Sequence, residues 1–139
     1  DLVAQYFMCI KKPLVEKVFK SKLIPTYSFS RVYFKDNVMK RHSDRPSCEV
    51  SVSLNIWSDT QWPLWFETEK GDVPMYTKPG EAVFYEGQKY NHWREPFEGE
   101  SCFQIFMHYI RAEGENRDRA YDGMENIKYP KLIMKPWLK

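Results

Sequence analysis

Residues 48–57, CEVSVSLNIW, contain the pattern that decides the fold. Apolar side chains occupy every second position from Cys48 to Ile56, and mostly polar side chains stand between them. Alternation with a period of two is typical of a β-strand whose two faces meet different surroundings. Ser58 and Asp59 follow as turn-forming residues. The sequence therefore predicts one long strand that ends at this point.

Shorter strand-like runs lie on both sides of this strand. Upstream, residues 27–34 (YSFSRVYF) are rich in aromatic and other β-favouring types. Downstream, runs of the same kind are separated by turn signals that contain glycine. These runs cover residues 63–68, 73–77, 81–86 and 101–110. Several short strands at such spacing predict a mainly β sandwich or barrel.

The first 24 residues predict helices instead of strands. Apolar residues recur at helical spacing from Leu2 to Ile10. Pro13 suits the first turn of a second helix, because the N–H that proline lacks has no partner there. This second helix is expected to end before Pro25. We expect both helices to pack as a layer against the sheet.

The whole chain, 1–139, fits a single domain. We expect a helical brace over about 1–24, a β core over about 26–110 and an irregular tail over 111–139, with Trp137 as a docking anchor. A net charge of +2 gives no basic footprint for nucleic acid. No apolar run approaches the ~18 residues of a membrane-spanning helix. We therefore expect neither a nucleic-acid nor a membrane partner, and no pattern indicates an oligomeric state.

Three cysteines and one histidine are predicted to be core residues. Cys9, Cys48 and Cys102 have no paired spacing, so a zinc knuckle or a disulfide framework is not indicated. Buried thiols in the cytoplasm are the expectation. His108 lies inside an apolar strand, where a hydrogen-bonded core histidine is the usual finding.

The triplet His42-Ser43-Asp44 and the later His92 are the candidate metal ligands. Two imidazoles and one carboxylate form the facial triad of iron(II) oxygenases, which leaves positions open for substrate and dioxygen. Residues i and i+2 of a strand share a face, so His42 and Asp44 are expected to converge. The end of a strand after residues 85–87 is expected to deliver His92. A His-x-Asp alone is more often a surface hydrogen-bonded pair.

The residues around this triad resemble those of the iron(II)- and 2-oxoglutarate-dependent dioxygenases, in their prolyl-hydroxylase-like branch. Tyr33 stands nine residues before His42, and residues 80–84 (GEAVF) resemble the approach to the distal histidine. The run 92–99 (HWREPFEG) resembles the H-x-x-x-P-x-x-x-G continuation, one residue shorter. The resemblance covers about residues 29–110.

This resemblance implies a double-stranded β-helix, or jelly-roll, with N-terminal helices packed on the larger sheet. It also implies Fe(II) on His42, Asp44 and His92, with 2-oxoglutarate as cosubstrate beside Tyr33. The expected activity is a dioxygenase that hydroxylates a small molecule or a protein side chain.

One family position differs in this chain. An Arg or Lys about ten residues after the distal histidine clamps the far carboxylate of 2-oxoglutarate in the family. Cys102 stands there, followed two residues later by Gln104 as a further candidate contact. A buried dianion needs a compensating cation, so another residue is expected to take this role.

The strand-face rule orders the candidates for this cation. Arg31 comes first because it shares a face with Tyr33. Arg94 comes second because it shares a face with His92. Arg45 comes third because it is close to the metal ligands only in sequence. For each of them a surface salt bridge is the ordinary alternative.

Two other functions remain open from the sequence. A cupin-like metalloenzyme that does not use 2-oxoglutarate would explain why Cys102 carries no positive charge. A non-catalytic jelly-roll binding module could instead use the dense aromatic side chains to hold a ligand. Trp57, Trp62, Trp65 and Trp93 are the candidates for the pocket wall, although core packing is the common role of such residues.

Overall fold

The computed structural model describes residues 1–123, so Trp137 lies outside the described part of the chain. One helix, α1, spans Leu2–Phe19. The eight strands are β1 (Leu23–Phe34), β2 (Met39–His42), β3 (Val50–Ser58), β4 (Leu64–Thr68), β5 (Gly71–Met75), β6 (Ala82–Tyr85), β7 (His92–Arg94) and β8 (Ser101–Arg111). Two short 3-10 segments cover Pro46–Cys48 and Arg117–Gly123.

The strands form two antiparallel four-stranded sheets, in the orders β1-β8-β3-β6 and β2-β7-β4-β5. Apart from the β4–β5 hairpin, each strand passes to the sheet opposite the one before it. This alternation between two facing sheets is the topology of a jelly-roll. The predicted fold class is therefore confirmed.

The prediction of two N-terminal helices was wrong, because α1 is continuous through Pro13. Proline removes one backbone hydrogen bond but lies on the exposed side of this helix. The Asp1 side chain caps the first turn, and Lys20 ends the helix in a left-handed conformation. Within residues 1–123, no helix has both the length and the apolarity needed to cross a membrane.

Helix α1 packs on the sheet that has the longer strands, and it covers the apolar face of β3. The cluster joins buried side chains of α1, β3 and β8, among them Met8, Val15, Val50, Val52, Leu54, Ile105 and Met107. Each fully buried aliphatic side chain contributes roughly 1.5–3 kcal/mol. The apolar face of β3 is thus covered by the helix.

The polar face of β3 consequently points into the space between the two sheets. Ser51, Ser53 and Asn55 are each at most 2% exposed. Ser53 contacts the opposite sheet, since its Oγ lies 3.2 Å from Nη2 of Arg94. Burying polar groups costs free energy unless they are hydrogen-bonded. A polar interior is therefore more typical of a ligand-binding chamber than of a hydrophobic core.

Candidate functional site

The three predicted metal ligands converge at one end of the space between the sheets. Strands β2 and β7 pair antiparallel, with His42 opposite His92. Oδ1 of Asp44 lies 3.3 Å from Nε2 of His42 and 3.4 Å from Nε2 of His92. Two donors bound to one ion at ~2.1 Å lie roughly 3.0–3.4 Å apart. The donor set and its spacing therefore fit a single divalent metal ion.

The route by which these residues meet differs from the prediction in two respects. Strand β2 ends at His42, so Asp44 lies in the following loop and not two positions along a strand. Its backbone N–H donates to the carbonyl of Gly87 at 2.9 Å. His92 does not follow a strand end; it begins β7 and is fixed by pairing with β2 and with Phe66 of β4.

Backbone carbonyls orient both imidazoles. Nδ1 of His42 lies 2.6 Å from the carbonyl oxygen of Lys40, and Nδ1 of His92 lies 2.9 Å from that of Tyr90. A carbonyl can only accept, so both Nδ1 atoms carry the proton. Nε2 of each ring is then the nitrogen left to bind a metal ion beside Asp44, which is the arrangement of histidines that bind metals.

The charge state of Asp44 also suits a cation. Burial raises the pKa of this carboxyl, but the contact with His92, with smaller effects of the His108 and His42 imidazoles in their protonated forms, brings the pKa below its ordinary value. The carboxylate is therefore ionised at neutral pH. The side chain of His42 is 41% exposed and that of His92 only 1%, so the site opens to solvent on the His42 side.

Arg94 is a buried cation in the same chamber. It follows His92 by two positions on the buried face of β7 and is 2% exposed. Nη1 donates to the carbonyl of Trp62, Nη2 lies 3.2 Å from Oγ of Ser53, and Nε has no partner within residues 1–123. No ion pair joins Arg94 to an acidic residue of this part of the chain. A buried charge without a counter-charge is costly, which indicates an anion site.

Tyr33 and Gln104, two of the predicted cosubstrate contacts, lie near this guanidinium, and Gln104 is joined to it through Ser53. Burial raises the pKa of Tyr33, and the charges of Arg31 and Arg94 oppose that shift. Arg94 also acts on the pKa of the Cys102 thiol, which burial raises. Gln104 bonds Cys102 through Nε2 at 3.1 Å. The Arg94 guanidinium is thus a neighbour of the position at which the family carries its cation.

The two remaining candidate cations are not buried. Arg31 is exposed and stands over the ring of Tyr33 at 4.8 Å. Arg45 is exposed, covers the ring of Tyr27 at 4.6 Å and pairs with Asp122 at 3.2 Å. Arg45 thus has the ion pair of an ordinary surface arginine, whereas no ion pair joins Arg31 to an acidic residue within residues 1–123.

Among the tryptophans predicted as wall candidates, only Trp62 lines the chamber. Its ring contacts Tyr33 at 4.8 Å and lies under Arg94. Trp65 and Trp93 stack on each other with their ring centroids 6.1 Å apart. Each lies between two buried neighbours in its strand and therefore points away from the interior. Trp57 is 55% exposed.

Sequence reasoning missed two aromatic residues that pack on a candidate ligand. The rings of Tyr85 and Phe66 lie 4.9 Å and 5.8 Å from that of His92. They also line a cavity of about 610 Å³. Both residues lie at alternating positions of the predicted strands 81–86 and 63–68, which could have marked them as interior. This alternation does not show which strands face each other.

His108 and the cysteines are buried, as predicted. Nδ1 of His108 lies 2.8 Å from Oγ of Ser51. Burial lowers the pKa of this imidazole to about 4, so it is neutral at physiological pH. The Sγ atom of Cys48 lies 3.0 Å from the hydroxyl of Tyr27.

Comparison with known proteins identifies the fold. No family model and no curated protein sequence matches this chain. An oxidoreductase of the 2OG-Fe(II) oxygenase family from Burkholderia pseudomallei has a TM-score of 0.64 at 16% identity, covering 77% of this chain and 53% of its own. AviO1 from Streptomyces viridochromogenes Tue57 gives 0.61 at 16% identity, with 74% and 57% covered.

A nickel complex of the non-heme monooxygenase ThoJ gives a TM-score of 0.57 at 11% identity, covering 73% of this chain and 49% of that protein. The chain thus spans about half the length of these three proteins. The resemblance to the oxygenase superfamily is confirmed at the level of the fold.

Proposed function

We propose that this chain, which has the fold of the iron(II)- and 2-oxoglutarate-dependent oxygenases, belongs to such an enzyme and hydroxylates a small molecule or a protein side chain. The observation that carries the proposal is the presence of a His-Asp-His donor set and a buried, unpaired arginine in one chamber. Neither feature is needed by a jelly-roll that serves only as a scaffold.

His42, Asp44 and His92 would hold iron(II). Two imidazoles and one carboxylate would leave positions on the ion open for the cosubstrate and dioxygen. When bound, iron supplies dioxygen activation coupled to decarboxylation of 2-oxoglutarate. The protein residues supply orientation: the carbonyls of Lys40 and Tyr90 fix the imidazoles. The exposed edge at His42 is the side from which a substrate would approach.

Arg94 would bind the far carboxylate of 2-oxoglutarate. It lies about 7 Å from His92 along β7, a distance that a five-carbon dicarboxylate can span from the metal. Its Nε lacks a partner within residues 1–123, so a donor is available for a charge-assisted hydrogen bond. We rank Arg94 ahead of Arg31, since only Arg94 is buried in the chamber. Tyr33 and Gln104 are proposed as its neighbours at the same carboxylate.

A cupin-like metalloenzyme without 2-oxoglutarate is the second candidate, and the neutral Cys102 favours it. Anaerobic titration with iron(II), with and without 2-oxoglutarate, separates the two. The proposed function predicts a visible metal-to-ligand charge-transfer band with both present, and succinate after air is admitted. Iron binding without that band and without succinate would favour the cupin-like function.

A further inference from the structure

A second set of donor atoms lies directly behind the first. Asp44, Cys48 and His108 each offer one ligand atom, and these atoms lie within 4.8 Å of one another. Cys48 and His108 are 3% and 4% exposed. They are therefore enclosed side chains and not part of a solvated acidic surface.

Each donor of this set has the outer partner that a metal ligand requires. The hydroxyl of Ser51 is directed at Oδ2 of Asp44 and at the carbonyl of Cys48, at 3.4 Å and 3.2 Å. Its oxygen therefore accepts from Nδ1–H of His108 at 2.8 Å, which leaves Nε2 with a lone pair. The Tyr27 hydroxyl, 3.0 Å from Sγ of Cys48, can donate to a thiolate. Hydrogen bonds of this kind orient the side chains that bind metals.

The two oxygens of Asp44 face different donors. Oδ1 lies between His42 and His92. Oδ2 lies on the side of Ser51, which contacts His108. A carboxylate in this position can bind one ion through each oxygen.

We propose that Asp44, Cys48 and His108 form an inner site for a second divalent cation, a zinc ion, with Asp44 bridging it to the outer ion. One sulfur, one nitrogen and one oxygen donor suit zinc, which completes a tetrahedron with one further ligand. Binding releases the proton of the Cys48 thiol to solvent. The inner ion would anchor Asp44 from behind.

The same contacts would also hold Asp44 in place without any ion. The number of metal ions bound distinguishes a second metal site from a purely structural network. Cobalt(II) is the probe, because a cobalt thiolate absorbs in the near ultraviolet. The metal-free full chain is titrated anaerobically, beside Cys48→Ser and the control Cys9→Ser, which changes a buried cysteine of α1.

The inner site predicts two equivalents and a thiolate band in the wild type and in Cys9→Ser. Cys48→Ser is expected to bind one equivalent without the band. A wild type that saturates at one equivalent with no thiolate band would overturn the proposal. This wild-type result decides even if Cys48→Ser does not fold. The readout needs no 2-oxoglutarate, so a chain that fails to bind this cosubstrate would still bind two equivalents. One equivalent with the thiolate band would instead mean that the inner site is filled and the outer triad is not.

Discussion

His92 and Arg94 leave the same face of β7 two residues apart, and both are buried, at 1% and 2% exposure. A strand of three residues thus presents an imidazole to Asp44 and a guanidinium to the interior of the chamber. A metal-bound ligand that carries a negative group at its far end would contact both. This relationship is the basis of the function proposed for the chain.

Gly87 is predicted to control the metal site through its missing side chain. A Cβ at this position would lie 2.2 Å from Oδ2 of Asp44 and 2.5 Å from the carbonyl of Cys48. Gly87→Ala is expected to displace Asp44 and weaken iron(II) binding by at least about tenfold, or ~1.4 kcal/mol. Anaerobic calorimetry measures this affinity.

Gly114→Ala is the matched control for this change. A Cβ at Gly114 would lie 3.1 Å from its nearest neighbour, which is the Cβ of Arg111 and not an atom of Asp44. Equal iron(II) affinity in Gly87→Ala and Gly114→Ala would show that the close packing of Gly87 does not position Asp44.

The buried His108 predicts how the stability of the metal-free protein depends on pH. Burial lowers its pKa to about 4, whereas the unfolded chain titrates near 6.5. Between these values the unfolded state binds more protons, so the free energy of unfolding rises with pH. His108 therefore contributes stability that is present above about pH 6.5 and is lost as the pH falls towards about 4, in total about 3 kcal/mol.

Urea unfolding of the metal-free wild type and of His108→Gln at several pH values tests this dependence. The wild type is expected to lose more stability than His108→Gln between pH 6.5 and pH 4. Parallel curves for the two proteins would mean that His108 is not the residue responsible.

The continuous helix α1 predicts that Pro13 costs stability. Pro13→Ala restores a backbone N–H inside the helix and removes the steric conflict of the ring. We expect the free energy of unfolding to rise by about 1–3 kcal/mol. Urea unfolding measures it, with the exposed helix change Lys17→Ala as the control, expected to be near neutral. A loss of stability in Pro13→Ala would show that proline does not destabilise this helix.

The strands were predictable from local pattern, but their faces were not. Alternation in β3 identified a strand without telling which side is interior. The polar side of Ser51 and Ser53 faces inward because α1 covers the apolar side. That choice depends on a contact between distant parts of the chain. Pro13 was misread for a related reason, since tertiary packing stabilises the helix across it.

The candidate site was predictable as a set of residues and not as a geometry. Spacing around His42 and His92 indicated the donor set, but the loop position of Asp44 depends on Gly87. The rule that residues i and i+2 share a strand face applied equally to Arg31 and Arg94. It could not show that only Arg94 is buried, because burial depends on what packs against that face. His108 carried no signal as a metal ligand, since its proximity to Asp44 arises only when β8 pairs with β3. Cys48 is four residues from Asp44 in the sequence, but nothing in the pattern indicated that its thiol faces the carboxylate.

The affinity for 2-oxoglutarate in Arg94→Met tests the central claim most directly. It is measured by anaerobic calorimetry on the iron(II)-loaded protein, with Arg31→Met as the matched control. Methionine keeps most of the volume of the arginine side chain, and retained iron(II) binding shows that each variant is folded. The account predicts a loss of affinity on the order of 100-fold in Arg94→Met and wild-type affinity in Arg31→Met. Unchanged affinity in Arg94→Met, with iron(II) still bound, would contradict it.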